Sequence, residues 1–134
     1  MQLIARQDKG FSLVELMIAM FIFMIAMLGI LAGLNSAIAN NKTNVLRDEA
    51  INVAEEEMNR LKDLPFASLA ATAPNWTNPV SVVRNIRSGQ INYNTSDRVT
   101  DITTDIKRID VQVTWSDKGI NYQHTISSII VNDI

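Results

Sequence analysis

The sequence predicts an α+β fold, with one long N-terminal helix and a small antiparallel β-sheet packed on the helix's second half. Three observations predict it. The run Leu16–Leu34, "LMIAMFIFMIAMLGILAGL", is apolar and carries no charge. Helical spacing of apolar residues continues beyond it as far as Leu61. Near the C-terminus, Ile109, Val111, Val113 and Trp115 alternate with polar residues, as in a half-buried strand followed by a turn.

Composition limits the function classes. The 134 residues suffice for one modest domain. The apolar fraction is 47%, and much of the excess lies between Phe11 and Leu34. With a formal charge of -2 and no basic block, nucleic acid is not expected as a partner. There is no cysteine, so disulfides and thiolate metal sites are excluded. His124 is the only histidine, which excludes a multi-histidine metal site.

The apolar run comes first in the chain. As a helix, Leu16–Leu34 would be about 28 Å long, close to the roughly 30 Å hydrocarbon core of a bilayer. A soluble core helix of that length needs a polar stripe, and none is present. We read it as membrane-spanning. The alternative is a cleaved secretory signal, for which Ala37-Ile38-Ala39 has the small-x-small form. The run is, however, longer than the roughly 7–15 apolar residues of such signals. Arg6 and Lys9 precede the run and the next cation is Lys42, so the N-terminus stays cytoplasmic and residues 35–134 cross the membrane.

One carboxylate, Glu15, lies at the edge of this run. Glu15 either snorkels to the interface or has a partner, because an ionised carboxylate in lipid is costly. If the bond after Gly10 is cut, Phe11 gains a free α-amino group four residues from Glu15. In a bundle of such helices, Glu15 of one subunit could neutralise that amine on its neighbour. Gly29 and Gly33 form a small-xxx-small pair. It either permits close helix approach or is merely tolerated in lipid.

From Asn35 the chain becomes polar while the helical pattern persists. Leu46, Ala50, Val53, Ala54, Met58 and Leu61 make one apolar stripe. Glu56 and Arg60 are expected to pair at i,i+4 on the wetter side. Glu55–Glu57 reads as a solvated helix face in preference to a metal site. Pro65 stops the helix near Leu64, so one helix of about 50 residues is expected from Phe11.

Residues 65–79 hold every proline and read as a loop. Three Asn-x-Ser/Thr sequons, beginning at Asn41, Asn75 and Asn94, are given no role, because so short a motif often matches by chance. Val80–Arg87 reads as a strand and Ile91–Tyr93 as a short one. The polar segment Asn94–Asp105 reads as an irregular connection. After the strand "RIDVQVTW", Ser116–Gly119 forms a turn in which Gly119 can take positive φ. The return strand places Ile120, Tyr122, Ile126 and Ile130 on one face, with His124 among them as a packed or edge residue. This face is expected to cover the Leu46–Leu61 stripe.

The stretch "KGFSLVELMIAM" resembles the processing and assembly motif of type IV pilin-like proteins, a family of pilins, minor pilins and type II secretion pseudopilins. The resemblance implies a leader over residues 1–10, a transmembrane and assembly helix over 11–34 and a periplasmic or extracellular head over 35–134. It implies a pilin-like fold, cleavage by a prepilin peptidase between Gly10 and Phe11, N-methylation of Phe11, and a docking role for Glu15 with Phe11. The implied partners are other pilin or pseudopilin subunits, the prepilin peptidase, the inner-membrane assembly platform and membrane lipid. No cofactor, metal or catalytic residue is implied. Many major pilins have a proline within the apolar helix and a C-terminal disulfide loop, and both features are missing here. "KRIDVQVTWSDKG" and the β-rich C-terminus are similar to the last hairpin of PilV-type minor pilins. A minor pilin acting in pilus assembly is therefore the leading expectation, and an I-type minor pseudopilin of type II secretion the alternative. The protein would be single-pass in the inner membrane before joining a cell-surface pilus or periplasmic pseudopilus.

Two other classes fit less well. A tethered enzyme would need a catalytic constellation, and the segment after Leu34 has no cysteine, one histidine and no glycine-rich loop. A membrane-anchored binding module would need neither cleavage after Gly10 nor a charge at position 15.

Overall fold

The computed structural model describes residues 12–86 and 89–132. Helix α1 runs from Leu13 to Lys62, 50 residues without a break. Strands β1 (Val80–Ile86), β2 (Gly89–Thr103), β3 (Ile106–Asp117) and β4 (Ile120–Val131) form one antiparallel sheet in the order β1-β2-β3-β4. The chain divides into two compact units, Met1–Asn41 and Lys42–Ile134. In the first, the described part is the N-terminal stretch of α1, whose large apolar side chains are exposed.

The second unit holds the core. Its helical contribution is Leu46, Ala50, Val53, Ala54, Met58 and Leu61, the full stripe expected from three- and four-residue spacing. These side chains join Tyr93, Val99, Ile109, Val111, Val113 and Trp115 in one buried cluster. Period-2 alternation puts β3's apolar residues on the helix-facing side, where burying a side chain of this size is worth about 1.5–3 kcal/mol. Tyr122, Ile126 and Ile130 of β4 pack against the cluster half-buried. His124 shares their face, also half-buried. Ile120, at the turn end of the same strand, is exposed.

The β3–β4 connection is a two-residue hairpin with positive φ at Lys118 (51°) and Gly119 (79°). Both angles suit a type I′ turn, whose twist matches that of the flanking strands. Lys42 of α1 reaches this hairpin and pairs with Asp117 at 2.5 Å.

Two expectations are corrected and one is refined. Asn94–Asp105 is not an irregular connection. Residues 94–103 complete a 15-residue β2 that pairs with β3 from Tyr93 to Thr103. Its inward positions include Thr95 and Asp97, so the apolar alternation that marks a strand is diluted. Tyr93–Thr95 also pair with β1, and beyond them the loop takes β1's place at the strand edge. The Thr72 and Ala73 N–H groups donate to the Val99 carbonyl, and the Thr77 N–H to that of Asp97. In return the Val99 and Asp97 N–H groups each donate to a threonine hydroxyl, of Thr72 and Thr77, at 2.9 Å. Secondly, the loop expected over 65–79 is present, and within it Phe66–Ser68 is a 3₁₀ turn followed by buried Leu69. The Lys107 ammonium clamps it, donating to the Phe66 carbonyl at 3.2 Å and to that of Leu69. Thirdly, Glu56 does not pair with Arg60. Arg84 of β1 binds Glu56 and, at 3.2 Å, Glu49. Arg60 pairs instead with Glu57, one residue nearer in sequence, at 2.5 Å. The expected strand Val80–Arg87 is present to Ile86, and Arg87 lies outside the described residues.

Candidate assembly face on the N-terminal helix

The first described residue, Ser12, caps α1. Its hydroxyl accepts from the Val14 N–H at 3.3 Å, and its carbonyl accepts from the Leu16 N–H at 3.1 Å. This satisfies one of the donors a helix start leaves without a partner. Glu15 follows three residues later, on the first turn, and is exposed. A carboxylate there is favoured by the helix dipole. Ser12-Leu13-Val14-Glu15 has the S-x-x-E spacing of a capping box, a signal in the sequence that identifies Ser12 as a working residue. Gly10 and Phe11, the expected cleavage and methylation positions, lie outside the described residues.

Because α1 is unbroken, its 3.6-residue period fixes which side chains share a face. Glu15, Ala19, Ile22, Ala26, Gly29 and Gly33 follow one another at four- and three-residue steps. They form a seam of mostly small residues with the carboxylate at its N-terminal end. A Cβ added at Gly29 or Gly33 would meet nothing within 4 Å, so no contact among the described residues requires glycine there. Met17, Met20, Met24 and Met27 repeat at the same steps on roughly the opposite side. The helix therefore has one shallow face that lets another backbone come close, and one of long, adaptable thioethers. All these side chains are exposed.

The segment is long and apolar enough to cross a membrane. That suits anchoring and helix-to-helix contact, and Glu15 is its only charge between Leu13 and Asn41. Among the described residues, no group of three or more His, Asp or Glu side chains is placed to hold a metal ion.

Residues 5–31 match the family described as the prokaryotic N-terminal methylation motif. The match spans the expected leader junction, Glu15 and Gly29, and ends two residues before Gly33. No curated protein and no solved structure matches the chain. The chain thus carries a type IV prepilin-like N-terminus on a helix that continues into an α+β head.

Proposed function

We propose that this chain is a minor pilin of a type IV pilus, a non-enzymatic filament component that takes part in pilus assembly and initiation. The observation that carries this reading is the methylation-motif match over residues 5–31. In support, the matched helix runs on unbroken to Lys62 and there carries a four-stranded sheet.

On this reading residues 1–10 are a leader, 11–34 the transmembrane and assembly helix, and 35–134 the head. Prepilin peptidase cuts between Gly10 and Phe11 and methylates the new amine. The subunit waits in the inner membrane, N-terminus inward and head in the periplasm, until the assembly platform moves it into the filament. Glu15 then meets the Phe11 amine of a neighbouring pilin-like subunit. The shallow seam through Ala19, Ala26, Gly29 and Gly33 brings the two helices together. The absence of cysteine supports a minor subunit over a major pilin with a disulfide loop.

Deleting the gene tests the reading. Surface filaments should be lost or shortened while type II secretion continues. Normal pili with blocked secretion would instead assign the chain to the pseudopilus. Mass spectrometry of the membrane-extracted protein should show a chain beginning at methylated Phe11.

A further inference from the structure

The solvent-facing side of the sheet is divided into two unlike halves. Toward one end it is charged. Arg98, Asp110 and Ser127 form one transverse row in register across β2, β3 and β4, with Arg108 beside it. Arg98 and Ser127 bind Asp110 at 2.9 Å and 2.6 Å. Toward the other end the same strands carry only amides and hydroxyls. Asn94, Thr114 and Gln123 are in register, and Ser116 and Asn121 are paired in the next row beside Asn92. These six residues are among those that line a concave region of about 720 Å³, to which Gln90, Ile91, Trp115 and Tyr122 also contribute, and no described charged residue lines it.

None of the six side chains makes a hydrogen bond within the described chain, in contrast to the saturated row at Asp110. The floor is stiff. On the opposite side of these strands Trp115 stacks on Tyr122, with ring centroids 5.5 Å apart, and lies 5.9 Å from Tyr93. The strand register thus spaces these residues regularly, on the side of the sheet away from the core.

We infer that this region is a binding site for a neutral saccharide chain. A side-chain amide offers two donors and an acceptor, and a hydroxyl offers one donor and acceptor sites. Neighbouring sugar hydroxyls present the same mixed pattern. With no charge to desolvate, such a site exchanges water hydrogen bonds for ligand hydrogen bonds at little electrostatic cost. Anions and cations find no counter-charge there. The paired strands fix the backbone spacing of these groups, so binding has to order side chains but no main chain. The inference concerns the head alone and stands whether or not the chain is a pilin.

The test is NMR titration of the full chain in a sugar-free zwitterionic detergent, reading the side-chain NH₂ signals of Asn92, Asn94, Asn121 and Gln123. Probes are cellotetraose, maltotetraose, an anionic heparin tetrasaccharide and a synthetic Asn121–Ser127 peptide. Saturable shifts with one of the neutral sugars at millimolar concentration or below are expected. The doubly substituted Asn94→Ala, Gln123→Ala chain should keep its circular dichroism and bind that sugar at least about tenfold more weakly. Silence with both neutral sugars overturns the inference, as does unchanged binding by the substituted chain. Equal binding of the heparin fragment overturns neutrality as the basis. Shifts with the peptide alone would replace the saccharide with strand addition at β4.

Discussion

The Tyr93 hydroxyl donates to the Leu46 carbonyl at 3.1 Å, joining β2 to α1 through the centre of the core. Tyr93 is fully buried, and burial with Glu49 nearby pushes its pKa up to about 12. An unfolded tyrosine ionises near pH 10. Above that pH the unfolded state loses a proton that the folded state keeps, so stability falls as pH rises through the window between about 10 and 12. Tyr93→Phe should cost about 0.5–1.5 kcal/mol at neutral pH. It should also flatten much of the alkaline decline. Denaturant melts at neutral and alkaline pH measure both, and an unchanged alkaline slope would contradict the assignment to Tyr93.

Trp115 joins the core from the end of β3, 7% exposed, between Tyr93 and Tyr122. Truncation leaves a void lined by two rings that are tied to neighbouring strands and cannot close it. Trp115→Ala should therefore cost about 3–5 kcal/mol in urea unfolding. A loss under about 1 kcal/mol would mean that the ring contributes little to the core.

Asp110 is buried on the outer side of the sheet. Burial alone would raise its pKa, but the Ser127 hydroxyl and the Arg98 and Arg108 guanidinium groups outweigh it and hold the carboxyl below its ordinary value. A depressed acid contributes stability that is present above the unfolded pKa, near 4, and is lost as pH falls through the lower folded value. Asp110→Asn should remove part of the acid-side decline and cost on the order of 1–3 kcal/mol at pH 7, since Arg98 and Arg108 keep partial access to water. Thermal melts across the acid range distinguish this from a variant with a parallel pH profile.

The helical stripe and the strand Ile109–Trp115 were legible because each obeys one local period over several repeats. β2 was not legible beyond Tyr93. Thr95 and Asp97 fill inward positions, and their polar groups are satisfied by residues remote in sequence. The Thr95 hydroxyl donates to the Val80 carbonyl at 3.2 Å, and Asp97 accepts from the Thr77 hydroxyl at 2.7 Å. No window along the chain contains that information. The same holds for Lys42 with Asp117, 75 residues apart, and for the choice of Arg84 over Arg60 as the partner of Glu56. At the N-terminus the reverse is true. Gly10, Phe11 and Glu15 stand out through the spacing of a short motif, whereas the two-faced character of the helix emerges only once its continuity is fixed.

The last prediction separates the two faces of that helix. Glu15→Ala removes the acceptor that a neighbouring Phe11 amine is proposed to need inside an apolar bundle. An uncompensated buried charge costs on the order of 3–5 kcal/mol. At about 1.4 kcal/mol per decade, that depletes the subunit from filaments by more than about a hundredfold. The span becomes more apolar, so insertion and processing should proceed normally. Gly33→Leu keeps the carboxylate but adds bulk to the same seam, and should also lower incorporation, by obstructing close approach of the helices. Met24→Leu changes the opposite face with little change in volume or apolarity and should leave incorporation near the wild-type level. Immunoblots of sheared filaments against inner-membrane fractions read all three variants together. The expected pattern is full membrane accumulation of processed protein throughout, with filament loss for Glu15→Ala and Gly33→Leu only. Normal incorporation of Glu15→Ala would remove the proposed charge pairing. Loss with Met24→Leu but not Gly33→Leu would place the helix contact on the methionine side instead. A Glu15→Ala chain missing from the membrane itself would assign the carboxylate to an earlier step than docking.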